Sequence, residues 1–221
     1  MNKIHINQNK KFGLATKSPR RLELINLLGL SFELISNTAS EPKPKTNESP
    51  LDYVIRASEF KTNHHNNKNK FILASDTIVY LGNQIYGKPK NTNQAINMLS
   101  TLNDKNHSVI TAISLFNATT KSTVTNTRIS NVKFKKWTKI QIEEYVNNYN
   151  VLDKAGSYAI QDSKHSPVEK FTGCKLNVIG LPVCNLIEIL VNNNIIDRLN
   201  KNNDKICSMV ESWQEREGSN P

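Results

Sequence analysis

Cysteine is scarce and scattered in this chain: Cys174, Cys184 and Cys207 are the only three in 221 residues. They form no C-x-x-C pair and cannot all pair off, which argues against a disulfide framework and a zinc ribbon and points to a reducing compartment. No run of about 18 apolar residues occurs, and the opening "MNKIHINQNK" has no apolar stretch of the kind a secretory signal needs, so the expectation is a cytoplasmic protein with no membrane partner. Also missing are internal repeats, a long arginine-rich tail, and the G-x-x-x-x-G-K-[ST] loop that cradles phosphates in one large class of nucleotide-binding proteins.

What is there is positive charge. The formal net charge of +10 suits an anionic partner, whether nucleic acid, a membrane surface or a polyphosphate nucleotide. Much of the excess is lysine dispersed among asparagines, as at Lys3, Lys10, Lys11, Lys133, Lys135 and Lys136, the pattern of a solvated basic surface. Basic residues meet aromatics only around "KFKKW", so a base-stacking platform for nucleic acid is poorly supported.

Strand and helix signals alternate, predicting one compact α/β unit over 11–194 between a polar segment at 1–10 and a polar extension at 195–221. A short strand at 11–15 leads to a helix at 19–28 closed by Gly29, then the strand "FELIS" and the proline-rich loop "NTASEPKPKTNESP". A helix from Pro50 to about Asn63 precedes the strand "FILAS", and "DTIVYLGNQIYGKP" reads as a hairpin turning at Gly82 and Asn83. Thr92 is expected to cap the next helix, two long strands span roughly 107–116 and 122–135, and Thr138 with Gln141 forms a capping box. From "DKAGSYAIQD" to Gly180 the chain reads as hairpin-like, before a helix opened by Pro182.

The most informative stretch is "LATKSPRR". Ser18 fits the N-cap and Pro19 the first helical position, so Arg20 and Arg21 fall at the positive end of a helix dipole, where a cation costs roughly 0.3–1 kcal/mol. An anion held by the helix N–H groups and both guanidiniums reverses that sign. The chain carries its own control: Ser49 and Pro50 open another helix in the same way, and there the third position is Asp52, the expected charge. The plainer alternative is that both arginines face water or pair with Glu23.

Asp76, expected at the end of "FILAS", has the place of a catalytic carboxylate at the mouth of a sheet, and Glu41 in the proline-rich loop is a second candidate. Hydrolysis of a phosphoanhydride needs a deprotonated water and a divalent ion, and a pair of carboxylates can serve both needs. Lys61 and Lys88 could reach polyphosphate oxygens as point charges, and Gln161 in "KAGSYAIQ" could donate to and accept from a base edge. His64 and His65 are adjacent in an Asn-rich loop and lack metal-ligand spacing.

In combination, "LATKSPRR", Glu41, "RASEFK", "ASDTIV", "GKP", "HSVITAISL", "LDKAGSYAIQ" and "NVIGLP", in that order over residues 14–182, resemble the Maf family of nucleotide pyrophosphatases. The resemblance implies an elongated α/β fold of the inosine-triphosphatase-like kind, with a curved mixed sheet and a cleft between two lobes. It implies hydrolysis of a nucleoside triphosphate to the monophosphate and pyrophosphate with a divalent cation, magnesium or manganese, and, by analogy, a homodimer. It matches Asp76 to the proton acceptor and, with Glu41, to metal binding. Ser18, Arg21, Lys61 and Lys88 match phosphate-binding positions, and Arg20, Thr77 and Gln161 match positions linked to base choice. "SPRR", "DT" and "AIQ" resemble the subgroup acting on dTTP and UTP rather than the 7-methyl-GTP subgroup. Three departures stand out: Ser40 where many members are acidic, Asp162 where glycine is common, and the tail beyond 194. The competing class is a non-catalytic, nucleic-acid-binding regulator of cell division.

Overall fold

The computed structural model describes residues 6–35, 42–63, 69–162, 165–199 and 206–212. Glu41, Ser40, His64 and His65 therefore lie outside the described residues. Seven strands form one mixed sheet: β1 (Phe12–Ala15), β2 (Phe32–Leu34), β3 (Phe71–Leu81), β4 (Gln84–Tyr86), β5 (Asn106–Asn117), β6 (Ser122–Phe134) and β7 (Val168–Thr172). They run in the order β2-β1-β3-β5-β6-β7, with β4 also on β3. The helices that accompany them are α1 (Pro19–Leu27), α2 (Pro50–Phe60), α3 (Thr92–Leu102), α4 (Lys139–Asn148), α5 (Lys175–Ile179) and α6 (Val183–Asn192).

"FILAS" and "DTIVYLG" are not two elements but one strand, β3, so Asp76 sits in mid-strand rather than at a strand end. The sequence shows no break because this strand is covered on both faces, which removes the polar alternation of a half-exposed strand. Its backbone partners explain why a site can still open there. On one side β5 pairs with β3 from Phe71 to Tyr80. On the other, parallel β1 pairs with residues 72–74 and antiparallel β4 with residues 79–81, leaving 75–78 without a strand partner on that edge among the described residues. At about 3.3 Å per residue this is a gap of about 13 Å in the sheet.

The core divides at the same level. One apolar cluster joins Leu73, Ile113 and Leu115 to α1, α5 and α6; another joins Val79, Val109 and Val132 to α3 and α4. These two cores are the two lobes, and residues 75–78 lie between them. On the opposite face of the sheet, α2 packs Val54 against Ile78, Ile110 and Ala112.

Local capping follows the residue chemistry, with small corrections. Thr138 and Gln141 make the expected capping box. The cap of α3 is Asn91, whose side chain accepts from the Gln94 N–H, and Thr92 is the first helical residue. Pro182 occupies the N-cap of α6. The hairpin-like reading of 153–180 is replaced by a 3-10 turn at Ala155–Ser157, strand β7 and helix α5. Gly156 has φ 67°, and a Cβ there would lie 2.9 Å from Val79 Cγ2, so a left-handed residue without a side chain lets this segment cross closely over β3.

The flanking segments pack on the domain. The Asn9 N–H donates to the Ile195 carbonyl, and Gln8 bridges to Ile196. Residues 206–212 are helical and bury Ile206, Cys207 and Val210 in the cluster that holds α5 and α6.

Candidate active site

Because successive strand residues point to opposite faces, Asp76 and Thr77 reach both sides of the sheet from one place on an open edge. Asp76 faces α2. There Lys61, the residue that ends α2, is buried and places Nζ 2.5 Å from Asp76 Oδ1. Lys61 follows Ala57 by one helical turn, so the apolar stripe that docks α2 also aims this ammonium at the carboxylate.

Thr77 faces α1 and α5. Its Oγ1 accepts from Arg21 Nη2 at 2.9 Å and lies 2.9 Å from Thr111 Oγ1, its cross-strand neighbour on β5. Arg21 Nε donates to the Gly180 carbonyl at 2.9 Å. Gly180 closes α5 at φ 121°, where an L side chain would be strained. Arg20 takes a different partner: Nη1 meets Asp153 Oδ2 at 2.7 Å, and Nη2 donates to the Asp153 carbonyl at 3.0 Å. Burial raises the Asp153 carboxyl pKa, but Arg20 and Lys154 outweigh it, and the net direction is downward.

Acceptors on other segments therefore hold both guanidinium heads: Asp153 for Arg20, and Thr77 with the Gly180 carbonyl for Arg21. Part of the cost of their position at the start of α1 is met within the chain. The internal control sharpens the comparison. Ser49 accepts from the Asp52 N–H at 3.1 Å and caps α2, whereas Ser18, in the equivalent place, makes no side-chain cap. The hydroxyl of Ser18 is not used in the way that explains most serines there.

These residues line one open cleft of about 250 Å³, near the lower end for small-molecule sites. Ser18, Arg20, Arg21, Lys61, Asp76, Thr77, Lys88 and Gln161 all border it. Among the described residues, its wall carries six basic side chains, with Lys17 and Lys154 joining Arg20, Arg21, Lys61 and Lys88, against two carboxylates, Asp76 and Asp153. Lys88 is exposed at the rim, and the preceding Gly87 carbonyl accepts from the Gly156 N–H at 3.1 Å, which ties the two sides of the rim together. Asp162 points to the Tyr145 hydroxyl of α4 and so anchors the chain beside Gln161.

Sequence reasoning missed Asp153, which lay inside a quoted segment but 133 residues from its partner Arg20, and Thr111, whose hydroxyl in an apolar strand was the available signal.

A hard divalent cation fits the donor chemistry here. Asp76 offers carboxylate oxygen at the cleft wall, and magnesium is commonly held by one or two carboxylates with the remaining positions taken by substrate phosphates and water.

A mixed α/β sheet whose central strand opens onto a small, cation-lined cleft has the makings of a site for a small polyanionic ligand. The chain belongs to the Maf-like protein family, whose model matches residues 11–193. It is 39% identical to a dTTP/UTP pyrophosphatase of Thermosipho africanus over 85% of this chain and 95% of that protein. It is 37% identical to one of Desulforamulus reducens over 80% and 93%, and 35% identical to one of Dehalococcoides mccartyi over 80% of each.

Proposed function

We propose that this chain is a nucleoside triphosphate pyrophosphatase that hydrolyses dTTP and UTP to the monophosphate and pyrophosphate, clearing non-standard pyrimidine nucleotides. The observation that carries the reading is the juxtaposition of the Lys61–Asp76 pair and the pinned Arg21 on opposite faces of β3, within a single cleft. The curated names of the relatives supply the substrate class.

In this mechanism Arg21, Lys61, Lys88 and the Ser18 hydroxyl bind the triphosphate and offset its charge. Asp76 takes a proton from the water that attacks the α-phosphorus, using the carboxylate oxygen not engaged by Lys61. Lys61 holds the carboxylate oriented toward the cleft. Pyrophosphate departs as the leaving group, its developing charge met by Lys88 and the arginines. A magnesium or manganese ion held by Asp76 and Glu41 supplies additional charge neutralisation when bound. Arg20, Thr77 and Gln161 select the base, because a site built to hydrogen-bond one base leaves polar groups unsatisfied with another. A cytoplasmic location and a homodimer belong to the same proposal and rest on the family alone. No helix among the described residues is long and apolar enough to cross a membrane.

A nucleic-acid-binding regulator is not favoured. In "KFKKW", Phe134 is buried and Trp137 packs on Tyr145 with ring centroids 5.4 Å apart, which removes the aromatic platform. The test is a panel of nucleoside triphosphates with magnesium or manganese, read out by pyrophosphate. Turnover highest for dTTP and UTP is expected; turnover confined to purine triphosphates would overturn the assignment.

A further inference from the structure

Three cysteines that lie far apart in the sequence converge at one place. Cys174 is the N-cap of α5, Cys184 is the second residue of α6, and Cys207 lies in the helical segment at 206–212. Their sulfurs all lie within 4.8 Å of one another, and all three are free thiols. We propose that Cys174, Cys184 and Cys207 form a binding site for one soft, thiolate-seeking cation, zinc or cuprous copper, which clamps the C-terminal helical segment to the start of α6.

Packing alone accounts for a buried cysteine here or there, since a free thiol behaves as a small apolar group. It does not account for three sulfurs aimed at a common point from three separate segments. A zinc–thiolate bond of about 2.3 Å places tetrahedral ligands about 3.8 Å apart, within the spacing that these sulfurs already have. The surroundings suit such a site. Cys174 and Cys207 are buried among Val183, Ile187, Ile206 and Val210 in one apolar cluster, which excludes water from a metal–sulfur bond. The backbone N–H of Cys184 also donates to Cys207 Sγ at 3.1 Å, the kind of outer hydrogen bond that orients and stabilises a coordinating thiolate. Soft sulfur ligands select zinc or cuprous copper over the hard ion that suits the carboxylate of the cleft. Binding releases the thiol protons to solvent and changes no oxidation state.

The site is separate from the cleft: α5 stands between them, with Cys174 at its start and Gly180, the acceptor for Arg21, at its end. The proposal does not rest on the hydrolase reading, and its test needs no nucleotide. The full-length chain, reduced and stripped with a chelator, is titrated anaerobically with zinc, with cuprous ion and with cobalt as a spectroscopic stand-in. The expected results are one zinc or cuprous ion per chain, a thiolate-to-cobalt charge-transfer band, and protection of all three thiols from a thiol reagent. A rise in Tm of about 5–10 °C is also expected. Cys207→Ser should lose the band and the Tm rise. Should that variant fail to fold, Cys184→Ala and the wild-type stoichiometry give the same answer. Uptake below a tenth of an equivalent for both ions would overturn the proposal, as would a cobalt spectrum without a thiolate band or uptake unchanged by the cysteine variants. A disulfide between two of the cysteines, formed in air by a chain that takes up no metal when reduced, would also overturn it and identify a redox pair instead.

Discussion

Lys61 and Asp76 meet at 2.5 Å between the end of α2 and the middle of β3, with both side chains largely withdrawn from solvent. Burying two opposite charges is costly unless they are well paired, and removing one strands the other. The pair is therefore poorly explained as a stability device and well explained as an oriented carboxylate. Asp76→Asn keeps the shape but removes the proton acceptor. It should lower kcat by 10² to 10⁴, in the range expected for loss of a general base, with an unchanged far-ultraviolet circular dichroism spectrum. An Asp76→Asn protein of undiminished rate would remove this residue from the chemistry.

The two serine–proline helix starts make an internal experiment. Ser49 caps α2, so Ser49→Ala should cost about 1 kcal/mol in a urea melt and leave KM alone. Ser18 caps nothing with its side chain, so Ser18→Ala should change stability by less than about 0.5 kcal/mol and raise KM for the triphosphate. Equal stability losses in the two variants would contradict the assignment of Ser18 to the ligand.

Much of the fold was legible because it is written in local chemistry. The capping box at Thr138 and Gln141, the turn at Gly82 and Asn83, and the helical spacing of Leu186, Ile189 and Leu190 each need only neighbouring residues. The rest depends on long-range pairing. The edge beside Asp76 is open because β1 stops at Ala15, opposite Ala74, and β4 ends at Tyr86, opposite Val79, and no local pattern encodes a missing partner. Likewise the charges of "SPRR" announced an unusual helix start, but Asp153 and the Gly180 carbonyl, which hold the two guanidiniums, come from segments more than 130 residues away. The meeting of three cysteines without any C-x-x-C spacing was hidden for the same reason.

Stability should fall in mild acid through a residue outside the cleft. Burial lowers the His107 pKa from 6.5 to about 4, and its Nε2 lies 2.9 Å from the Tyr158 hydroxyl. Between those values the unfolded chain takes up a proton that the folded chain refuses, so folding stability is complete above pH 6.5 and declines as the pH falls toward 4. The loss is of order 3 kcal/mol at about 1.4 kcal/mol per pH unit. Urea melts at several pH values should show this slope, and His107→Leu should flatten it.

Base choice should reside in the segment that Gly156 and Asp162 position. Gln161→Ala should narrow the kcat/KM preference for dTTP and UTP over CTP by about tenfold or more, while leaving pyrophosphate as the product. A preference unchanged in this variant would move base recognition to other residues of the cleft.

The central claim is that water is deprotonated at Asp76 and attacks the α-phosphorus of a triphosphate lying between Arg21, Lys61 and Lys88. Turnover of dTTP in ¹⁸O-labelled water, with both products analysed by mass spectrometry, tests it most directly. The account predicts one labelled oxygen in the monophosphate and none in pyrophosphate; label in the pyrophosphate, or release of orthophosphate and a diphosphate, would contradict it.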